Sequence, residues 1–204
     1  MGLEIAQSIG EAEASTIHVF DKTKEPSESF KAVQGYLKDL GTNLYYHSLD
    51  VTEQKAVWDK CDQIGKINGL VAAAAILDGY HCQEYTSDAF ENIYKVNVGG
   101  VFYTAQGVAR QMLKYNNGGS IIIIASLSGS ITNRYHDWVG YNSSKCALLQ
   151  VARSMAAELG PSNIRVNTLS PGHIKTEMTT SLFTTPGLEE RWSNSNPLGR
   201  LGEF

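Results

Sequence analysis

The run Ser120-Ile-Ile-Ile-Ile-Ala125 is short and almost entirely apolar. Such a run is typical of a strand that is buried on both faces, and residues 69–76 (Gly-Leu-Val-Ala-Ala-Ala-Ala-Ile) have the same character. Along the chain these runs alternate with longer segments of helical periodicity. The alternation predicts right-handed parallel βαβ units, and strands covered on both faces predict a doubly wound α/β sheet.

Periodicity and turn residues together place the predicted elements. Pro26 is expected in the first turn of the second helix and Thr52 at the cap of the third. Asn97 lies beside two glycines and suits a helix interior poorly, so we expect either a local break that points its amide inward or a plain loop. The predicted helices are 2–14, 25–40, 52–64, 87–115 and 141–160, and the predicted strands are 16–20, 44–49, 69–76, 120–125 and 164–169.

Composition narrows the class of protein. The 204 residues carry a net charge of -4 without a basic stripe, which argues against nucleic acid or an anionic membrane as the partner. No apolar run approaches the ~20 residues that span a bilayer, and no signal peptide is visible. The three cysteines lie far apart and fit reduced thiols in a cytoplasmic protein, and the five histidines show no metal-ligand spacing. We therefore expect one domain, 1–204, without a metal.

The carboxyl ends of the predicted strands are where a doubly wound sheet binds ligands. Asp21 ends the first strand, where a carboxylate can accept hydrogen bonds from the ribose of a dinucleotide and repel a 2′-phosphate; a solvated turn aspartate is the alternative. Lys22 and Lys24 would soften that discrimination. Asp50 and Val51 end the second strand and could hold an adenine ring, or Asp50 could instead be a favourable charge at a helix start.

Tyr141 and Lys145 are four residues apart at the start of a predicted helix and therefore share one face. A free tyrosine has a pKa of about 10, and a fixed cation beside it favours the phenolate. The pair could act as an acid and base, although the same spacing also arises by chance. Ser126 and Ser128 follow a strand and could donate to a substrate carbonyl; neither has the surroundings of a hydrolase nucleophile.

In this order the motifs resemble the short-chain dehydrogenases/reductases, which have a single-domain Rossmann fold. Within that family the chain looks most like the sugar- and polyol-handling members, such as sorbose reductase, mannitol 2-dehydrogenase and arabinitol dehydrogenase. The resemblance is carried by Asp50-Val51, Leu70-Val-Ala-Ala-Ala-Ala75, Lys95-Val-Asn-Val98, Ile124-Ala-Ser-Leu-Ser-Gly129, Tyr141-Asn-Ser-Ser-Lys145, Ile164-Arg-Val-Asn167 and Ser170-Pro-Gly172.

The resemblance implies a catalytic role for four residues. Tyr141 would be the general acid/base, and Lys145 would lower its pKa and bond the nicotinamide ribose. Ser126 would polarise the substrate carbonyl, and Asn97 would hold a water in the proton relay. Ser126-Leu-Ser-Gly129 matches the family's Ser-x-x-Gly, whereas the usual serine-to-tyrosine spacing would select Ser128, so both serines stay open.

The resemblance also implies NAD or NADP as the cofactor, with NAD favoured by Asp21. It implies that residues 128–139 and a lid segment, residues 178–196, face the substrate. Polar and aromatic side chains in the first of these stretches include Asn133, His136, Asp137 and Trp138. The residues expected to line the nicotinamide and diphosphate are Pro171, Gly172, Ile174 and Thr176.

Three departures from the family pattern stand out. Gly2 falls on the last glycine of the phosphate-binding loop, so the family's first strand and most of that loop are expected to be missing, as is its last strand. The missing first strand would lie between residues 16–20 and 69–76 and would leave two strand edges without partners. Ala75 stands where the family usually has glycine.

We therefore expect an NAD(P)-dependent oxidoreductase that interconverts a secondary alcohol and a ketone of a sugar or polyol. The family's homo-oligomers imply a dimer or tetramer formed through the Asn97-region and Tyr141 helices. One alternative is a non-catalytic fragment that associates with full-length relatives. The other is an unrelated Rossmann-like binding protein.

Overall fold

The computed structural model of the chain describes residues 1–134 and 136–203. Strands and helices alternate along most of the chain, as the sequence predicts. The strands are β1 (Thr16–Asp21), β2 (Asn43–Ser48), β3 (Gly69–Ala72), β4 (Gly119–Ile124) and β5 (Ile164–Leu169). The helices are α1 (Gly2–Glu11), α2 (Glu28–Asp39), α3 (Gln54–Ile64), α4 (Ser87–Tyr94), α5 (Val101–Tyr115), α6 (Val139–Leu159), α7 (Glu177–Thr180) and α8 (Leu188–Asn194).

All the strand pairings in the described part of the chain are parallel, and they form two separate groups. One sheet has the order β1-β2 and the other the order β3-β4-β5. β1 and β3 each pair on one side only within residues 1–134 and 136–203. This is the arrangement that the sequence predicts, with two strand edges that lack a partner.

Helices cover both faces of β1, which is the mark of a doubly wound fold. Ile17 and Val19 pack against the core of α1 and α2, whereas Phe20 packs against the larger core of α3, α5 and α6. Successive side chains of a strand point to opposite faces, so the two cores lie on opposite sides of β1. The predicted α/β Rossmann-type fold is confirmed.

β3 differs from its prediction in length and burial. The apolar run predicts a strand to residue 76 that is buried on both faces, but β3 ends at Ala72, and Leu70 and Val71 are half-buried. Among the described residues β3 pairs with one strand, β4, which explains the residual exposure. β4 agrees better with its prediction, since Ile121 and Ile123 are fully buried.

Two predicted helix starts are wrong by a few residues. The side chain of Ser27 caps α2 by accepting from the Phe30 backbone N–H, so Pro26 precedes the cap and does not lie in the first turn. The N-cap of α3 is Glu53, without a side-chain cap. Thr52 instead donates its backbone N–H to Asp50 Oδ1, at 2.9 Å, in the turn before the helix.

In the described residues, no helix is long and apolar enough to cross a membrane.

Candidate active site

Asn97 lies in a π-helical segment, Lys95–Gly100, between α4 and α5. Its side chain is fully buried, and its Oδ1 accepts from the Ile76 N–H at 2.8 Å while its Nδ2 donates to the Ile76 carbonyl at 3.0 Å. Nδ2 also donates to Ser144 Oγ, at 3.0 Å, in α6. The predicted break is therefore present, because a π-bulge widens the helix locally and turns this amide inward.

The turn after β4 brings Ser126 to the site. Residues Leu127–Gly129 form a 3₁₀ turn, and Ser126 Oγ accepts from the Ser128 backbone N–H at 3.1 Å. Gly129 lies directly on the backbone of α6: a Cβ there would stand 2.8 Å from the carbonyl carbon and oxygen of Lys145. Only glycine allows this approach, which sets the turn against the helix that carries Tyr141.

Tyr141 and Lys145 share one face of α6, as their spacing predicts. Lys145 Nζ lies 5.7 Å from the centroid of the Tyr141 ring and donates to the Ile124 carbonyl at 2.9 Å. The Lys145 side chain is 2% exposed, so β4 and α6 enclose the ammonium group almost completely. Ser144 donates to the Tyr141 carbonyl and accepts from Asn97, which connects α6 to the π-helical segment.

The pKa of each member of the pair is set first by burial. Burial raises the pKa of Tyr141, and a hydrogen bond with the Ser126 side chain lowers it in part. Burial lowers the pKa of Lys145 to about 8. In this structure the Ser126 hydroxyl lowers the pKa of Tyr141, and the lowering of that pKa by Lys145, which the resemblance implies, stays a prediction.

The two candidate serines differ in what they contact. The Ser126 hydroxyl lowers the pKa of the Tyr141 phenol, while Ser128 donates its backbone N–H to Ser126 Oγ. Both side chains are buried. The effect on the Tyr141 pKa favours Ser126 as the partner of the tyrosine, and the choice between the two serines stays a prediction.

The expected cofactor residues fall into two groups. At the ends of β1 and β2 the carboxylates are exposed: Asp21 Oδ1 accepts from the N–H and hydroxyl of Thr23, and Asp50 Oδ1 accepts from Thr52. The Thr52 hydrogen bonds lower the pKa of Asp50, and Lys95 and Lys22 add to this. Both carboxylates are thus present as acceptors.

Val51 and Gly2 have simpler surroundings. Val51 packs on Gly100, where a Cβ would stand 2.6 Å from Val51 Cγ2, so the residue is held against the π-helical segment. Gly2 opens α1, whose first turn has no side-chain cap, and a Cβ on Gly2 would meet no atom within 4 Å. The backbone N–H groups of that turn can therefore bind an anion.

The second group follows β5. The Pro171 carbonyl accepts from the Leu127 N–H at 3.0 Å, and a Cβ on Gly172 would stand 3.2 Å from Leu127, so both residues lie against the Ser126 turn. Thr176 exchanges hydrogen bonds with Thr179, and Ile174 forms a parallel bridge with Gly202. The structure thus brings Pro171 and Gly172 to the site and places Ile174 and Thr176 in the segment that follows.

An aromatic cluster beside Tyr141 was only partly foreseen. The resemblance implies that His136 and Trp138 face the substrate, but no local pattern indicates that Trp192 of α8 donates to His136, 56 residues earlier, or that His173 stacks on Trp192. Tyr135, in the same predicted substrate-facing stretch, lies outside the described residues. The part of the chain that the structure describes holds no group of three or more side chains suited to a metal ion.

The sequence of the chain is similar to known enzymes over its whole length. A family model described as enoyl-(acyl carrier protein) reductase matches residues 1–204. A short-chain dehydrogenase/reductase, notP', from Aspergillus versicolor is 35% identical over 98% of this chain and 72% of its own length. A ribulose-forming D-arabinitol 2-dehydrogenase from Candida albicans is 40% identical over 68% of this chain. The matched region is 50% of that enzyme's length.

Solved structures show the same similarity. A short-chain type dehydrogenase/reductase from Mycobacterium marinum superposes with a TM-score of 0.90 at 33% identity, over 99% of this chain and 78% of that one. An NAD⁺-bound xylitol dehydrogenase superposes with a TM-score of 0.84 at 26% identity, over 100% of this chain and 84% of that one. A gluconate 5-dehydrogenase from Burkholderia cenocepacia in complex with NADP and tartrate superposes with a TM-score of 0.86 at 26% identity, over 100% of this chain and 79% of that one. By fold, by sequence and by the order of its motifs, the chain belongs to the short-chain dehydrogenase/reductase family.

Proposed function

We propose that the chain is an NAD(P)-dependent oxidoreductase that interconverts a secondary alcohol and a ketone, with Tyr141 as the general acid/base. The observation that carries the proposal is that Tyr141 shares a face of α6 with the buried Lys145, whose Nζ lies 5.7 Å from the phenol ring centroid, while the Ser126 hydroxyl lowers the pKa of the phenol. A hydroxyl pair of this kind can hold one substrate oxygen and exchange a proton with it.

The donors and acceptors at the strand ends fit a dinucleotide. The exposed Asp21 carboxylate suits ribose hydroxyls, the uncapped first turn of α1 at Gly2 suits a phosphate, and Asp50 with Val51 suits an adenine edge and face. We assign the nicotinamide end to Pro171 and Gly172, beside the Ser126 turn, with Ile174 and Thr176 further along. When bound, the nicotinamide supplies or takes up the hydride at the substrate carbon.

The proton moves through this chain's own groups. In reduction, Tyr141 donates its phenolic proton to the substrate oxygen while Ser126 donates a hydrogen bond to the same atom. In oxidation, the phenolate takes the proton back. Lys145, with a pKa of about 8 and its Nζ 5.7 Å from the Tyr141 ring centroid, is the cation that we assign to stabilise that phenolate. Asn97 is assigned the water of the relay, and its bonds to Ile76 and Ser144 keep the surrounding backbone in place.

The substrate class that we propose is a sugar or polyol and its ketose. This rests on relatives named for D-arabinitol, galactitol, L-xylulose and sorbose. Of the two cofactors, we propose NAD, because Asp21 would repel a 2′-phosphate. Lys22 and Lys24 follow it directly and weaken that preference.

We also propose that the enzyme forms a homodimer or homotetramer and works in the cytoplasm. The long helices α5 and α6 are the candidate contact surfaces. All three cysteines are free thiols, which suits a reducing compartment.

The test is a screen of the purified chain with NAD(H) and NADP(H) against a panel of polyols and ketoses, read as absorbance at the nicotinamide band. Turnover of at least one pair is expected, and Tyr141→Phe should lower kcat by about 10²–10⁴-fold while cofactor binding by calorimetry is kept. Retained turnover in Tyr141→Phe would refute the assignment of the base. A folded chain that binds no cofactor would support the non-catalytic alternative.

A further inference from the structure

Four aromatic side chains beside the candidate base form two stacked pairs, and the pairs are joined by an edge-on contact between His136 and Trp192, with ring centroids 5.5 Å apart. Trp138 meets Tyr141 edge-on, with ring centroids 6.2 Å apart, and His136 lies flat on Trp138 at 4.0 Å and 8°. Trp192 comes next, and His173 lies flat on Trp192 at 4.1 Å and 9°. The ring stack, Trp138, His136, Trp192 and His173, therefore connects the loop before α6 with α8 and with the segment that follows β5.

Trp192 is the point at which the lid segment joins this stack. It is 5% exposed and packs in a small apolar cluster with the buried Leu188 and Leu201. Its indole Nε1 donates to His136 Nε2 at 2.9 Å. Through this bond the C-terminal part of the chain is tied to the loop that precedes Tyr141.

The direction of the bond fixes the protonation state of the histidine. An indole N–H is a donor only, so His136 Nε2 must accept and cannot carry a proton. His136 is therefore neutral, with its proton on Nδ1. A second proton on Nε2 would replace the acceptor with a donor that faces another donor.

We propose that His136 and Trp192 are positioning residues which hold the lid segment against Trp138 and Tyr141, and that protonation of His136 releases this hold. Neither residue touches the reacting atoms in the proposed reaction. The effect on turnover rests on the proposed function, whereas the hold itself is a property of the folded chain.

The groups around His136 set the pH at which the hold is lost. Burial lowers the pKa of His136 below its usual 6.5, Arg191 on α8 lowers it further, and the adjacent Asp137 opposes them. Burial lowers the pKa of His173 as well, and His136 adds to that effect. His81 Nε2 lies 3.8 Å from Asp137 and is a further titratable group beside this loop.

The sign follows from the depressed pKa. Above pH 6.5 the histidine is neutral in both the folded and the unfolded chain, and the bond to Trp192 is intact. As the pH falls below 6.5, the unfolded chain binds the proton first, so stability declines until the lowered pKa of His136 is passed. The lid segment should therefore be held at neutral pH and loosened in mild acid.

The direct test is the indole N–H resonance of Trp192 in a ¹⁵N-labelled chain, followed from pH 8 to pH 5. Trp192→Phe keeps an aromatic ring at this position but removes the N–H donor. The indole resonance that is missing from its spectrum is therefore assigned to Trp192. In the wild-type chain that signal should move with a single midpoint below 6.5. A Trp192 signal that does not move while the chain stays folded would overturn the proposal.

Two variants separate this titration from a general acid effect. His136→Gln keeps an acceptor but cannot titrate, so its Trp192 signal should stay constant across the same range. His47→Gln removes a histidine on β2, in the other sheet, and should leave the wild-type midpoint unchanged. A midpoint that persists in His136→Gln would assign the titration to another group and contradict the proposal.

Kinetics then connect the hold to the proposed reaction. Loss of the hold should raise KM for the substrate several-fold with a smaller change in kcat, and Trp192→Phe should show this at neutral pH. In His136→Gln, KM should stay constant down to pH 5.5. If the resonance titrates as expected but no polyol or ketose is turned over, the proposed function fails and the hold stands. If turnover is present but Trp192→Phe does not raise KM, and His136→Gln shows the same pH dependence of KM as the wild-type chain, the positioning role fails.

Discussion

The side-chain amide of Asn97 bonds both backbone groups of Ile76, accepting from its N–H at 2.8 Å and donating to its carbonyl at 3.0 Å. These are the two bonds that a neighbouring strand would supply to a residue in a sheet. The amide therefore takes the place of a strand at the point where the chain has left β3. A third bond, to Ser144, ties the same amide to α6.

Replacing this amide should destabilise the fold. Asn97→Ala leaves the N–H and carbonyl of the half-buried Ile76 without this partner, and each such loss costs up to about 1–3 kcal/mol. We expect a decrease in the free energy of unfolding in that range or above, measured by urea denaturation. Asn92→Ala, at an exposed position of α4, is the matched control and should change stability by less than about 0.5 kcal/mol. Equal losses for both variants would contradict the role of the Asn97 bonds.

The Asn97 segment also shows what sequence patterns can predict. Asn and two glycines inside a helical stretch predicted a break, and the break is a π-helical segment. The end of β3 was not predictable, because the four alanines after Val71 are as apolar as a strand requires. The side chain that hydrogen-bonds the Ile76 backbone in place of a strand is that of Asn97, which lies 21 residues later in the π-helical segment.

In the candidate site, too, the local features were predictable from the sequence and the contacts between distant elements were not. The Tyr141–Lys145 pair is local to one helix, and its spacing alone predicted that the two share a face. The effect of Ser126 on the pKa of Tyr141 and the hydrogen bond from Trp192 to His136 join elements that meet only after folding. The two-part sheet was predicted, since the motif order left no strand for the position between β1 and β3.

Gly129 should tolerate no side chain. Its missing Cβ leaves room for the backbone of Lys145 and Cys146, at 2.8 and 2.9 Å from the Cβ position, and helix backbone cannot move aside alone. Gly129→Ala should therefore destabilise the chain by about 1–3 kcal/mol and displace the Ser126 turn from Tyr141. Thermal and urea unfolding measure the first effect, and the activity of the folded fraction measures the second.

The matched control for this substitution is Gly35→Ala in the exposed middle of α2. A Cβ there meets no atom within 4 Å, and alanine is the better helix former by about 0.5–1 kcal/mol. This variant should be slightly more stable than the wild-type chain. A loss at Gly35 as large as that at Gly129 would mean that the close approach to α6 is not the cause.

The two serines of the turn should respond differently to truncation. Ser126→Ala removes the hydroxyl that lowers the pKa of Tyr141, so the pH at which alcohol oxidation sets in should move upward. Loss of one donor to the reacting oxygen also lowers kcat by about 10²–10³-fold. Ser128→Ala keeps the backbone N–H that bonds Ser126, and kcat should stay within a few-fold of the wild-type value. The pH dependence of kcat for the two variants, side by side, decides between the serines.

Lys145 should make the stability of the chain depend on pH in the alkaline range. Burial lowers its pKa from 10.5 to about 8, so between these values the unfolded chain holds a proton that the folded chain has released. Stability contributed by this group therefore rises as the pH increases from about 8 to 10.5. Lys145→Met keeps most of the side-chain volume and has no group to titrate. The difference in unfolding free energy between wild type and variant should shift in favour of the wild type by about 3 kcal/mol across this window, measured by urea denaturation at pH 7.5, 9 and 10.

Lys38→Met removes an exposed lysine from the last turn of α2 and should show no comparable shift. If the difference between wild type and Lys145→Met stays constant over the same range, the ammonium is not desolvated by β4 and α6 as the structure has it.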